Sequence, residues 1–401
     1  MKWEKVRLED CCYSISDGDH QPPPKAQQGI PFVTISNINS MNQLDFSDTM
    51  FVPKEYYQSL DEKRKVRKGD VLYSVVGSFG IPVLIKEERP FVFQRHIAIL
   101  RPKEDIVDSG FLFYTMLSRD FYAKADAVAI GAAQRTVSLG SLRNIKIDVP
   151  SLESQKHIAD ILSAYDDLIE NNQKQIKLLE EAAQRLYKEW FVDLRFPGHE
   201  NTKIVDGVPE RWSVYPFSSK VDIMSGGTPK TSIPDYYNGK IPFYTPKDSD
   251  GAFFAYKTQM NITEGGLKNC NSRLYPPKTV IITARGTVGK TTILAVPMAM
   301  NQSCYALKMK ENDAPYYLFF ALNNEIKALQ TMANGGVFNT IIGKTFDSIN
   351  IQIPKDPLIY GFEETVRPFM EQIKNKLQAN SKLVEARDRL LPKLMSGEVK
   401  V

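Results

Sequence analysis

The chain has 401 residues, a length that predicts two or three domains, each large enough for a core of its own. Its 42% hydrophobic and 24% charged residues are typical of a soluble globular protein, and a net charge of +4 permits binding to nucleic acid without indicating it. No stretch approaches the roughly 20 apolar residues that span a bilayer, so we expect no membrane-spanning segment and no membrane partner.

The first residues, Met1 to Arg7, alternate charged and apolar side chains and lack the hydrophobic run of a signal peptide. The cysteines Cys11, Cys12, Cys270 and Cys304 form no C-x-x-C pair, and two adjacent cysteines rarely bridge. Reduced thiols are therefore the simpler interpretation. We expect a cytoplasmic protein.

The front of the chain mixes short strands with helix. Segments 31–35, 71–76 and 96–100 are rich in β-branched and aromatic residues between Gly, Pro and Asp turns, which predicts three strands. A helix is predicted from about 110 to 124. Together these elements indicate an α+β domain.

A long helix is predicted next, from Gln155 to about Trp190, because this stretch contains neither Pro nor Gly. Ser154 is the expected N-cap, and the Pro197–Gly198 pair ends the segment. One row at heptad spacing consists of Ile158, Tyr165, Asn172, Leu179 and Leu186. About 37 residues of helix span roughly 55 Å, which favours a coiled coil over one side of an ordinary bundle.

The same organisation occurs a second time. Residues 131–136 correspond to 335–340 at an offset of 204, and this offset holds without a gap through the following helix. Upstream the offset drifts, with 30–34 corresponding to 241–245, so insertions are tolerated there. The second copy predicts strands at 279–283 and 304–307 and a helix at 315–332. A period of this size indicates a duplicated domain.

The second long helix carries its own row, Phe362, Phe369, Lys376, Leu383 and Leu390. We expect the two helices to pair with each other as an antiparallel coiled coil, related with their domains by a pseudo-two-fold axis. Asn172 and Lys376, the polar members at equivalent places, would fix the register. The predicted segments are a first domain (1–150), a helix (151–196), a linker (197–206), a second domain (207–354) and a C-terminal helix (355–401).

Segment 284–291 resembles the loop that cradles phosphates in nucleotide-binding enzymes. Ala284 replaces the first glycine of that pattern, and the residues after Thr291 are β-branched and end at Pro297, where such a loop requires a helix. The equivalent segment of the first copy, 76–82, has no lysine. A tight β-turn carrying basic residues fits the sequence better.

No constellation for acid–base, nucleophilic or metal chemistry is recognisable, and the four histidines lack metal-ligand spacing. What remains is polar and basic loop chemistry suited to base edges and phosphates. The candidates are His20, Lys25, Asn37, Ser78, Arg95 and Arg135 in the first copy and Thr228, Lys230, Tyr244, Lys247, Arg285, Thr287, Lys290 and Asn339 in the second. Each alone is an ordinary surface residue, but their recurrence at corresponding places strengthens the group.

Across its whole length the sequence resembles the specificity subunit of type I restriction-modification enzymes. The resemblance rests on segments 6–20, 29–38, 226–248 and 284–290, and most specifically on 155–198 and 390–399. It implies two target-recognition domains, each reading one half of a split double-stranded DNA site, and a coiled coil that sets the spacing between the halves.

The resemblance also implies two adenine-methylating modification subunits and ATP-driven restriction subunits as partners. The helices, with Tyr187, Trp190, Phe191 and Phe196, would dock the modification subunits. S-adenosylmethionine, ATP and Mg²⁺ would then belong to the partners, and this chain would hold no cofactor, no metal and no catalytic residue. Two alternatives stay open: a nucleotide-dependent enzyme that uses loop 284–291, and a coiled-coil scaffold that binds no DNA.

Overall fold

The computed structural model describes residues 3–18, 22–39, 41–132, 134–332, 341, 343–354 and 356–401. It divides into two compact units, the first formed by 1–169 with 382–401 and the second by 170–381. Both divisions fall inside long helices, so each unit contains a mixed domain and one stretch of each helix. No helix in the described ranges is both long and apolar enough for a membrane span.

The first unit begins with an α+β domain, as the sequence predicts. Its strands are β1 (Glu4–Arg7), β2 (Cys12–Asp17), β3 (Ile30–Val33), β4 (Met50–Val52), β5 (Val71–Ser74), β6 (Pro82–Leu84), β7 (Val92–Phe93), β8 (Ile97–Pro102) and β9 (Lys146–Val149). Its helices are α1 (Leu8–Cys11), α2 (Lys54–Ser59), α3 (Ser109–Leu117), α4 (Arg119–Val128) and α5 (Leu139–Asn144). The main sheet is antiparallel in the order β2-β8-β5-β6, beside smaller sheets β4-β3-β7 and β1-β9.

The three strands predicted for this domain are confirmed, but the single helix predicted at 110–124 is wrong. The chain forms α3 and α4 with a break at Ser118. The Ser118 hydroxyl accepts a hydrogen bond from the Phe121 amide at 3.2 Å and so starts a new helix. Serine competes with helix continuation in this way because its side chain can satisfy a backbone donor itself.

The long helix α6 (Leu152–Tyr187) confirms the prediction and ends in a π-helical turn at Lys188–Val192. It starts earlier than predicted, because Ser151 and not Ser154 supplies the capping oxygen. The Ser151 hydroxyl accepts from the Ser154 amide at 3.3 Å, and Ser154 itself is buried inside the first turn.

The second unit repeats the plan. Its strands are β10 (Ile204–Val205), β11 (Val208–Pro209), β12 (Ser213–Pro216), β13 (Val221–Ser225), β14 (Tyr237–Tyr244), β15 (Phe254–Ala255), β16 (Asn261–Ile262), β17 (Val280–Thr283), β18 (Thr291–Leu294), β19 (Ala299–Met300), β20 (Cys304–Met309) and β21 (Asn350–Ile353). Its helices are α7 (Phe217–Lys220), α8 (Glu264–Lys268), α9 (Pro315–Met332), α10 (Gly343–Asp347) and the long α11 (Asp356–Met395). The main sheet has the order β13-β20-β17-β18-β15, so its first four strands follow the order of the first unit.

The long helices contact each other within each unit. In the second unit, Asn172 of α6 meets Asn380 of α11, while Tyr187, further along α6, meets Phe362, which precedes Asn380. In the first unit, Asp166 meets Arg387. In the second unit, a later residue of α6 therefore contacts an earlier residue of α11. This order confirms the predicted antiparallel pairing there.

Each hydrophobic core joins a domain to its helix pair. In the first unit, Ile158 and Leu162 of α6 and Leu391 and Leu394 of α11 are buried in the core formed by the main sheet and α3. In the second unit, the core consists of the main sheet, α9 and helix residues that include Ile176, Ala183, Phe362, Val366 and Met370. Fully burying one such large apolar side chain contributes about 1.5–3 kcal/mol, so domain and helices stabilise one another.

Candidate nucleic-acid interface

In the first unit, separate chain segments meet at the end of β5. The Val75 amide donates to the His96 carbonyl at 2.8 Å, and the Val137 amide donates to the Val75 carbonyl at 2.9 Å. The Gly77 amide donates to the Arg135 carbonyl at 3.0 Å. The loop after β5, the turn before β8 and segment 134–137 therefore form one surface, which we call the first loop cluster.

In the second unit, the corresponding segments meet at the end of β17. The Ala284 amide donates to the Ser303 carbonyl at 2.7 Å, and the Ile341 amide donates to the Ala284 carbonyl at 2.9 Å. The Thr287 hydroxyl donates to the Pro246 carbonyl at 3.2 Å, which adds the turn after β14. Two backbone hydrogen bonds of this second loop cluster, at Ala284 and Ile341, match those at Val75 and Val137 in the first.

The first loop cluster brings Ser78, Arg95 and Arg135 together. Ser78 and Arg95 are exposed, whereas the Arg135 guanidinium already forms an ion pair with Asp126 at 3.1 Å. His96 lies beside Arg95, and burial together with the Arg95 charge lowers the pKa of His96, so its ring is neutral near pH 7. Among the described residues of the cluster, Arg95 is the cation without an ion-pair partner, so it can meet an anion.

Lys25 and Arg95 line a common cavity of about 470 Å³. Its other walls include Pro22–Pro24, Phe32, Met50 and Gln94. Asn37 has a different role from the one predicted, because both polar atoms of its side-chain amide form hydrogen bonds within the domain. Its oxygen accepts from the Thr34 amide at 2.9 Å, and its nitrogen donates to the Asp48 carbonyl at 3.0 Å. His20 lies outside the described residues.

The exposed cations of the second unit's candidate set are Lys230, Lys247, Arg285 and Lys290. None of the four has an ion-pair partner within the described part of the chain. Thr287 is exposed in the same loop as Arg285, and the Thr228 hydroxyl bonds the side-chain oxygen of Gln302. Unpaired lysine and arginine side chains on loops are the groups that neutralise phosphates.

Tyr244 is a correction to the predicted set. Its side chain is 1% exposed and packs in the core with Tyr275, Met298 and Met300, so it supports the turn after β14 and cannot reach a ligand. An aromatic residue at a strand end has the same sequence signature whether it faces inward or outward. Asn339 lies outside the described residues.

Sequence reasoning did not single out two buried hydroxyl residues beside these loops. Ser74 and Thr283 end β5 and β17, are 0% exposed, and direct their hydroxyls into the loops that follow. The available signal was a hydroxyl residue three positions before the first glycine of each aligned pair, Gly77–Gly80 and Gly286–Gly289.

Three of the four predicted docking aromatics are not exposed, whereas Trp190 is half-buried. Tyr187, Phe191 and Phe196 are buried, with 9%, 6% and 6% exposure. The Phe191 ring lies 5.1 Å from that of Phe362, and Trp190 lies 6.0 Å from the same ring. The second unit's own core covers the rings of Tyr187 and Phe191, so these rings are not available to a partner.

The predicted register pair also needs correction. Asn172 donates to Asn380 at 2.8 Å, and Asn380 is 9% exposed. Lys376 lies one helical turn away from Asn380 and is only half-buried. A long charged side chain can extend to solvent from such a position, whereas an amide can be satisfied inside the helix pair.

Two carboxyl groups attach the long helices to the second domain. The Tyr317 amide at the start of α9 donates to Glu363 of α11 at 2.7 Å. Glu180 of α6 accepts a backbone hydrogen bond from Phe253. Burial raises the pKa of each group to about 7.

The nucleotide-loop alternative is not supported by the fold. After Lys290 the chain continues as strand β18, antiparallel to β17, with Thr291 opposite Ile282. A phosphate-cradling loop needs a helix N-terminus at this point. No group of three or more His, Cys, Asp or Glu side chains within the described ranges is arranged to hold a metal ion.

Comparison with known proteins places this arrangement in context. A family model described as the type I restriction modification DNA specificity domain matches residues 1–181 and 209–378. The HindI specificity subunit of Haemophilus influenzae is 25% identical, with 99% of each chain covered. The MjaIX specificity subunit of Methanocaldococcus jannaschii is 27% identical, with 83% of this chain and 78% of that protein covered. The S subunit structure of a type I restriction-modification system from M. genitalium shares the fold, with a TM-score of 0.62 over 98% of this chain and 96% of that one at 17% identity.

Proposed function

The chain belongs to the family of type I restriction-modification DNA specificity subunits, and on that premise we propose that each unit reads one half of a split DNA site. The observation that carries this proposal is the pair of loop clusters, which share two corresponding backbone hydrogen bonds but bear different side chains. Similar scaffolds with different polar groups would recognise different base sequences.

The charge of the second loop cluster supports DNA as the ligand. Lys247, Arg285 and Lys290 are exposed on its loops, and Lys230 is exposed on the loop after β13. A cation without an internal ion-pair partner can bind a phosphate without first breaking an ion pair. Contacts to phosphates position a protein on the duplex. Thr287 is exposed, and because its hydroxyl proton is donated to Pro246, its oxygen can accept from a donor on a base edge.

We further propose that the chain supplies recognition only and that partner subunits supply the chemistry. These partners are two modification subunits, which would bind S-adenosylmethionine, and restriction subunits, which would bind ATP and Mg²⁺. Exposed apolar side chains of α6 support docking to this helix: Ile161, Leu168 and Leu178 are 36%, 53% and 65% exposed. Exposed apolar groups along a helix are typical of a protein contact surface.

Methylation mapping of DNA from cells that carry this chain with its modification subunits tests the proposal. We expect methylated sites that consist of two short specific blocks separated by a spacer of constant length. Omission of this chain is the control and should abolish the pattern. A continuous site, or methylation that is unchanged without this chain, would overturn the proposal. Unchanged methylation together with retained subunit assembly would favour the scaffold alternative.

A further inference from the structure

The loop after β5 is closed by one buried hydroxyl group. Ser74 donates from its Oγ to the Ser78 carbonyl at 2.9 Å and accepts at the same Oγ from the Ile81 amide at 2.9 Å. Its carbonyl also accepts from the Gly80 amide at 3.0 Å. Gly77 and Gly80 have φ of +71° and +99°, a region that other residues adopt only at a cost, so the chain can turn tightly around the hydroxyl.

The loop after β17 has the same internal bonds 209 positions later. Thr283 donates from its hydroxyl to the Thr287 carbonyl and accepts from the Lys290 amide at 3.0 Å. Its carbonyl accepts from the Gly289 amide at 2.9 Å. Gly286 and Gly289 again have positive φ. The two loops have diverged in sequence at most other positions, yet the hydroxyl and both glycines are present in each.

The closed loop sorts its side chains into two sets. The first residue after the hydroxyl is buried in both units, with Val75 4% and Ala284 2% exposed. The residues two and four positions after the hydroxyl lie further out: Val76 is half-buried, and Ser78, Arg285 and Thr287 are exposed. The loop therefore presents two variable positions outward from a constant frame.

We propose that Ser74 and Thr283 are positioning residues for DNA reading, and that the pairs Val76–Ser78 and Arg285–Thr287 which they present help to determine the base preference of the first and second units. This inference rests on the proposed function. A loop closed in the free protein loses little conformational entropy on binding, so its two outward side chains meet a base pair in a defined geometry. The neutral pair in the first unit and the cationic pair in the second would read different bases.

The test uses the full chain in complex with its modification subunits, and the readout is the ratio of methylation on the cognate duplex to that on duplexes with one altered base in either half-site. Thr283→Val removes the hydroxyl while it preserves the shape of the side chain, and Thr283→Ser retains the hydroxyl. We expect Thr283→Val to lower this ratio at least about 10-fold in the second half-site only. Thr283→Ser should keep the ratio of the unmodified chain. Ser74→Ala and Ser74→Thr should behave in the same way at the first half.

Hydrogen exchange of the unmodified full chain provides a measurement that does not depend on a variant folding. The Ile81 and Lys290 amides should exchange more slowly than the amides of Ser78 and Thr287 in the same loops. The inference would be overturned if the amides of each loop exchanged equally fast. It would also be overturned if folded Thr283→Val and Ser74→Ala variants kept the methylation ratio of the unmodified chain, or if Thr283→Ser lost it. If the unmodified complex shows no split site at all, the proposed function itself fails, and that result is distinguishable from all three.

Discussion

The side-chain amide of Asn172 donates a hydrogen bond to the side-chain oxygen of Asn380, with 2.8 Å between Nδ2 and Oδ1. This bond joins α6 to α11 at a position where Asn380 is 9% exposed. We expect Asn172→Ala to lower the free energy of unfolding of the second unit by about 1 kcal/mol, because a largely buried amide loses its donor. Thermal unfolding of the full chain measures the change. Asn171→Ala, an exposed amide on the same helix, is the control; an equal loss in both would contradict the prediction.

A second contact between the long helices involves Asp166 and Arg387 in the first unit. One Asp166 oxygen lies 2.5 Å from Arg387, and the other accepts from the Tyr114 hydroxyl at 2.6 Å. Arg387→Met should cost about 1–3 kcal/mol, because the carboxylate stays partly buried without its cation. Arg389→Met is the matched control, since Arg389 pairs with Glu385 at a side-chain exposure of 78%. Denaturant unfolding should separate the two variants, and equal midpoints would refute the prediction.

The carboxyl of Glu363 should make the stability of the second unit depend on pH. Burial raises its pKa from 4.5 to about 7, so the folded state binds this proton more tightly than the unfolded state. The stabilisation is complete below the unfolded pKa of 4.5 and is lost as pH rises through about 7, with a slope of at most about 1.4 kcal/mol per pH unit. Arg367 lies nearby and limits the shift, whereas Asp313 increases it.

Glu363→Gln should flatten that slope, because the glutamine oxygen can still accept from the Tyr317 amide without titrating. The measurement is the melting temperature between pH 5 and 8, and Glu364→Gln, an exposed neighbour, is the control. Glu180, whose pKa is also raised to about 7, should add a second contribution that Glu180→Gln removes. A slope that is the same in Glu363→Gln as in the unmodified chain would contradict the assignment.

Phe191 should act through stability rather than through partner binding. Its ring contacts Phe362 at 5.1 Å and Tyr317 at 4.9 Å, and its side chain is 6% exposed. Phe191→Ala should cost about 3–5 kcal/mol through the cavity that it leaves. Val192→Ala, at 43% exposure, should change little. Calorimetry of the full chain checks this; a Phe191→Ala chain that melts like the unmodified one but loses its modification subunits would restore the docking role.

The long helices and their partnership were predictable because their signal is periodic and uninterrupted. Gln155 to Trp190 was predicted, and α6 covers Leu152–Tyr187 with a π-helical turn after it. What periodicity could not show was which chain covers an apolar face. Tyr187 and Phe191 have the composition of a docking surface, but α9 and α11 of their own unit cover them. Periodicity also could not identify Asn380 as the polar partner of Asn172. A polar residue that interrupts a heptad row, such as Lys376, looks like an equally good partner in the sequence.

The loop clusters were predictable as regions, because the repeat places polar residues at the same points of both copies. Individual roles were not, because burial is set by tertiary packing. Asn37 follows β3 and Tyr244 ends β14, yet Asn37 caps a turn and Tyr244 lies in the core. Ser74 and Thr283 escaped notice because a lone hydroxyl is common and becomes informative only when its hydrogen bonds are seen.

The central claim is that each unit reads its own half of a split site, and paired variants of the complete complex test it most directly. One variant combines Lys230→Ala with Arg285→Ala in the second unit, and the other combines Lys25→Ala with Arg95→Ala in the first. Methylation mapping at single-base resolution should show relaxed or lost recognition in one half-site for each variant, in opposite halves, with the other half unchanged. Variants that both alter the same half, or that each alter both halves or neither, would contradict the account.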